Sequence, residues 1–151
     1  MILVVVILES AVELASFPGL GALSMQQLLI GMPLSFALFF VGTVLPTMIL
    51  IYSILLPRYL ALTESWSTTI VLGGITYGAM HLVEGWSNFS TPEDGALSVI
   101  FAFVSYFGPG MFKSFVTLRT GNAWVHAIGY HAIAPHVIVD TPLIVKTFGI
   151  V

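Results

Sequence analysis

Three histidines and an aspartate sit in one otherwise apolar stretch, Thr120 to Asp140: His126, His131, His136 and Asp140. The remaining histidine, His81, closes the run Tyr77-Gly-Ala-Met-His81, with Glu84 just beyond it. Ionisable groups in apolar surroundings cost free energy unless they have partners or a task. Imidazole beside carboxylate is the pairing that moves protons or holds a metal ion.

Helical geometry limits which of these groups can act together. His126, His131 and His136 are spaced by five, and each such step turns about 140° around a helix, so the three cannot share a face. That excludes a pair of metal ligands on one helix face of the H-E-x-x-H kind. His81 and Glu84 are at i, i+3 and share a face, as do His136 and Asp140 at i, i+4. At about 1.5 Å per residue, His81 and His136 each lie roughly 20 Å into their helices and His131 about 13 Å, so His81 and His136 can share a level and His131 lies within about a turn and a half of it. A metal centre would draw on His81, His131, His136 and Asp140, and zinc is the ion such donors suit. The plain alternatives are that Glu84 and Asp140 anchor helix ends at an interface and that His81 packs against a neighbouring helix. Tyr77 lies one turn before His81 and either orients its imidazole or packs. Glu9 and Glu13 also share a face, at i, i+4.

The elements that must position these groups are membrane helices. Of 151 residues, 58% are apolar and only 7% charged, against about 25% charged in a soluble domain. The pattern predicts an all-α, polytopic membrane bundle of about five segments in a single domain spanning 1–151. Ile2–Phe17 is short and carries Glu9 and Glu13, so residues 1–26 form either a tilted span or an interfacial helix. Pro18-Gly19 and Gly21 break it. The run Leu28–Leu56 contains Pro33 and Pro46 and reads as one long kinked helix, closed by Leu-Pro-Arg58-Tyr59 with both last residues as interface anchors. Thr68–Val83 is a third segment, with Gly74 and Gly78 at a small-xxx-small spacing for close helix packing. The polar loop from Glu84 to Gly95 ends in Pro92-Glu93-Asp94, a helix start. The fourth segment, Ala96–Leu118, bends at Gly108-Pro109-Gly110, and the fifth, Asn122–Val139, ends at Thr141-Pro142.

Charge patterning bounds the partners. Seven acids and four bases give a net charge of -3 with no basic cluster, so nucleic acid is not a partner, and the lipid bilayer is. Absent cysteine rules out disulfides, thiolate ligands and a cysteine nucleophile. If the segments alternate, Arg58, Lys113 and Arg119 share one side and Glu84, Glu93, Asp94 and Asp140 the other, with Lys146 as an exception. The basic side is then cytoplasmic in a plasma membrane.

From about Val44 to Asp140 the chain resembles the CAAX-protease and bacteriocin-processing (CPBP) family of intramembrane proteases. Tyr77-Gly-Ala-Met-His81 looks like the family's aromatic-xxx-His motif. Leu118-Arg-Thr-Gly-Asn-Ala-Trp124 followed by Ile128-Gly-Tyr-His131-Ala looks like its third motif and lead-in. The resemblance implies a helical bundle in which a glutamate and histidines activate water to cleave a peptide bond, with prenylated or bacteriocin-like peptides as substrates. Both metal-dependent and metal-free glutamate mechanisms have been argued for the family. It makes His81 and His131 the expected catalytic residues, with Glu84 and His136 as substitutes for missing groups and Tyr77 and Trp124 at the substrate. The chain departs from the pattern at three places. Thr47 and Met48 stand where the glutamate pair is expected, Tyr52 where an arginine is, and Pro135 where an asparagine follows His131.

Three functions therefore follow as expectations. The chain is a CPBP-type endopeptidase, or a non-catalytic immunity or peptide-binding protein on the same scaffold, or a metal-dependent membrane enzyme or transporter using His81, Glu84, His136 and Asp140.

Overall fold

The computed structural model describes residues 2–16, 18–83, 87–125 and 133–151. Glu84, His126 and His131 lie outside the described residues, as do the side chains of Glu9, Glu13 and Pro135. Every regular element among the described residues is helical. Helix α1 covers Ile2–Ser16 and a 3-10 turn covers Pro18–Ala22. Helix α2 covers Met25–Thr63, α3 Trp66–Met80, α4 Pro92–Thr120 and α5 Ile133–Thr147. Two of them, α2 with 39 residues and α4 with 29, are long and apolar enough to cross a membrane. At 15 residues, α1, α3 and α5 are shorter than the roughly 20 a full span needs. The chain divides into two compact units, one of 1–47 with 124–151 and one of 48–123.

Local chemistry explains the helix ends. Ser24 caps α2 in a capping box: its hydroxyl accepts from the Gln27 amide at 3.2 Å, and the Gln27 side chain accepts from the Ser24 amide at 2.9 Å. At α4 the Pro92 signal holds: Thr91 accepts from the Asp94 amide at 3.1 Å, Glu93 and Asp94 fill the first turn, and Gly121 ends the helix with a φ of 66°. Thr91→Ala is expected to cost about 1 kcal/mol of stability, read from unfolding of the purified protein in detergent; an unchanged midpoint refutes the capping role.

Prolines end fewer helices than their positions predict. Helix α2 does not close at Leu-Pro-Arg-Tyr but runs to Thr63, where Glu64 adopts a left-handed conformation. Two π-helical stretches, Phe40–Val44 and Met48–Leu55, lie just upstream of Pro46 and Pro57. A proline ring clashes with the carbonyl four residues back and lacks the matching N–H, and a wider turn relieves the clash. Helix α4 stays α-helical through Pro109, and α5 continues through Pro142 to Thr147. Asp140 is therefore mid-helix rather than at a helix end.

In the unit of 1–47 and 124–151, α5 packs on the first part of α2 and on α1. Gly31 makes the close approach: a Cβ there would meet Val145 at 2.6 Å and Thr141 at 3.1 Å. The Thr141 hydroxyl donates to the Val137 carbonyl at 2.6 Å, and the Gln27 side-chain Nε2 donates to the Ile150 carbonyl at 3.0 Å.

In the unit of 48–123, α3 and α4 form the dominant contact. Gly74 faces Phe107 and Met111, and Gly78 faces Phe103, so the small-residue spacing serves close packing as its sequence implied. Gly73 sits against the Ser114 hydroxyl. Rising numbers on α3 meet falling numbers on α4, so the two are antiparallel. Ile51, Tyr52, Leu56 and Tyr77 form the buried core. Elsewhere on α4, Leu97, Ile100, Phe101 and Val104 are exposed, Val104 by 79%.

Candidate functional site: a buried histidine among aromatic rings and a lysine

The polar centre of the second unit is built from α3 and α4. His81 is the C-cap of α3, at the start of a 3-10 turn running to Val83. It is thus at a helix end, yet only 7% exposed. Its Nδ1 lies 2.7 Å from the Tyr77 carbonyl oxygen. A carbonyl can only accept, so Nδ1 carries the proton, and in the neutral ring Nε2 holds the lone pair. The last-turn carbonyls of α3 have no intrahelical donors, and His81 supplies one.

Aromatic rings fix the imidazole. Tyr106 stacks on it at a centroid distance of 3.7 Å with planes 20° apart. Tyr77 closes the other approach at 4.4 Å, tilted by 59°. Tyr77 is in turn flanked by Tyr106 at 6.2 Å and Tyr52 at 6.5 Å. Tyr52, at the position where the resemblance calls for arginine, is thus packed beside the aromatic-xxx-His pair. Met48 is buried in the same unit.

Lys113 joins this centre. It is 1% exposed, its ammonium donates to the Tyr77 hydroxyl, and it lies 3.9 Å from the centre of that ring. Its sequence position suggested a cytoplasmic surface cation; the structure corrects this, because a side chain so buried against a phenol cannot anchor at an interface. Of the expected bases, Arg58 and Arg119 are exposed. Tyr59, expected as an interface anchor, is hydrogen-bonded to Thr76 on α3 at 2.9 Å.

Sequence reasoning missed Lys113 and Tyr106 as site residues. The signal was present: they are seven apart on α4, hence on one face, and Lys113 is a cation inside a long apolar helix, two turns short of its end, which marks function or pairing. Tyr106 also borders an apolar cavity of about 530 Å³ with Leu97, Ser98 and Phe101. Ser98 is held there by exchanging hydrogen bonds with the Asn88 backbone, at 2.9 and 3.1 Å.

The other expected site residues fall elsewhere. His136 is in the first unit, half-buried, stacked on Phe39 at 4.1 Å. Trp124 is in the same unit, stacked on Phe40 at 6.5 Å. Asp140 is partly buried on α5, one turn beyond His136. Among the described residues no three His, Cys, Asp or Glu side chains converge. His81 and Tyr77 are brought together as the motif implied; Glu84 and His131 are outside the described residues. Set against family models, curated proteins and solved structures, the chain matches none.

Proposed function

We propose that the chain is a multi-pass integral protein of the plasma membrane, a bundle of about five membrane segments on a CPBP-like scaffold, acting as an endopeptidase on hydrophobic or lipidated peptides. The membrane assignment rests on α2 and α4 and on their exposed apolar side chains, since a patch such as Leu97, Ile100, Phe101 and Val104 needs a lipid or protein cover. Catalysis rests on one observation: the Tyr77 carbonyl fixes His81 in the tautomer whose Nε2 accepts protons. In the proposed step Nε2 takes a proton from water, the hydroxide oxygen bonds to the peptide carbonyl carbon, and the C–N bond breaks as His81 returns the proton to the leaving amine. The cavity beside Tyr106 takes the apolar part of the peptide.

A second reading has its own support. Thr47, Met48 and Tyr52 are all buried, and none can replace the expected acid pair and arginine as base or cation. On that ground the chain is a peptide-binding or immunity protein using the same cavity without cleavage.

One experiment separates the two. The purified protein is incubated with a panel of hydrophobic and prenylated peptides, and cleavage and binding are both followed for the parent and His81→Ala. The endopeptidase reading expects cleavage that falls about 10²-fold or more in the variant. Binding without cleavage in the parent selects the second reading. Equal cleavage by both proteins removes His81 from the mechanism.

A further inference from the structure

The imidazole of His81 lies between two aromatic walls of unequal firmness. Tyr77 is the firm one. It is buried, its hydroxyl accepts from the Lys113 ammonium, and Gly110 lies against its Cβ. Tyr106 is the other. Its ring stacks on the imidazole at 3.7 Å, yet it also borders the cavity of Leu97, Ser98 and Phe101. Tyr106 therefore joins that cavity to His81. The walls it shares are apolar in effect. Leu97 and Phe101 present hydrocarbon, and the Ser98 hydroxyl is already engaged, accepting from the Asn88 amide and donating to the Asn88 carbonyl. Such walls take an apolar side chain. The Tyr77 carbonyl holds only Nδ1. One hydrogen bond leaves the imidazole plane able to rock about that contact, and a flat stacked ring is what sets the plane.

We propose that Tyr106 is a positioning residue that couples the cavity to His81. Its ring holds the imidazole plane, and an apolar side chain of the peptide, seated in the cavity against Tyr106, tightens the stack. Binding energy from a part of the substrate that does not react is then spent on orienting the base, so it raises kcat and not affinity alone. The inference rests on the endopeptidase reading and gives that site its side-chain preference: a large apolar residue beside the scissile bond.

The parent, Tyr106→Phe and Tyr106→Leu are compared as full chains in detergent. Phenylalanine keeps the flat ring, whereas leucine keeps an apolar wall and loses the stack; Tyr106→Met replaces the leucine variant should that not fold. Each protein receives peptides with alanine, leucine or phenylalanine beside the scissile bond. In the parent and Tyr106→Phe, kcat is expected to rise about tenfold from the alanine to the phenylalanine peptide. In Tyr106→Leu, kcat is expected to fall about tenfold or more and to ignore the series, while KM still improves along it. Nitrogen NMR of the His81 ring, identified by its loss in His81→Ala, reads the stack without cleavage: the phenylalanine peptide shifts it in the parent and not in Tyr106→Leu. Circular dichroism reports folding. Equal kcat in Tyr106→Leu and the parent, an equal loss in Tyr106→Phe, or a His81 signal indifferent to the peptide overturns the proposal. A His81 response without cleavage in the parent removes the endopeptidase reading and leaves the coupling through Tyr106 standing.

Discussion

Gly110→Leu is expected to prevent the α3–α4 pair from forming. A Cβ at Gly110 would lie 2.6 Å from the Tyr77 Cβ and 3.0 Å from the Gly74 Cα. The second contact is backbone, so no side-chain rotation relieves it, and the helices must separate along their main interface. Separation also withdraws Tyr106 and Lys113 from Tyr77 and His81. Overpacking in a core costs about 1–3 kcal/mol and more when backbone must move, so a loss of at least about 3 kcal/mol is expected here. Gly108 supplies the contrast two residues away. Beyond its chain neighbours a Cβ there meets nothing within 4 Å, so Gly108→Ala is expected to change stability by less than about 1 kcal/mol, its helix-propensity gain offset by crowding from the Pro109 ring. Unfolding free energies in detergent measure both. Similar losses at the two glycines would show that helix propensity, not close approach, governs α4.

Removing the buried cation has the next largest effect. Lys113→Ala deletes a fully buried stem and takes the ammonium from the Tyr77 hydroxyl, at an expected cost of about 2–5 kcal/mol. Lys113→Met keeps most of the volume and is expected to cost less than about 1.5 kcal/mol, because a well-packed apolar replacement of a buried ion is often close to neutral. Tyr77→Phe removes the hydroxyl acceptor but keeps the ring 3.9 Å from the ammonium, and is expected to cost about 1–3 kcal/mol. A double-mutant cycle over Lys113→Met and Tyr77→Phe isolates the contact, with an expected coupling of about 0.5–3 kcal/mol. Strict additivity would mean the two groups stabilise the fold independently.

Helical class, the start of α4 and the packing role of Gly74 and Gly78 were legible in the sequence, because each follows from local chemistry. Apolar excess demands internally satisfied backbone, a threonine before Pro-Glu-Asp caps a helix, and glycines four apart leave a smooth face. The pairing of Tyr77 with His81 was legible for the same reason, being one turn of helix. Proline positions misled. Pro57 and Pro142 were read as closures, whereas the helices run on past them to Thr63 and Thr147. The site's far side was hidden because it is set by α4 meeting α3 across the chain. Nothing local distinguishes Lys113, buried on a phenol, from Arg119, exposed six residues later. A rule that counts cations cannot separate them; the face that Lys113 shares with Gly110 and Tyr106, and Arg119 does not, can.

The burial of Lys113 also bears on how the chain enters a bilayer. A lysine at the centre of a lone membrane helix costs roughly 2.5–3.5 kcal/mol on insertion scales, so α4 carries a penalty until Tyr77 is beside it. Helix α3 emerges from the ribosome first and brings that hydroxyl with it. On the multi-pass reading proposed above, the two segments are matched for entry as a hairpin, with insertion of α4 depending on a residue synthesised before it.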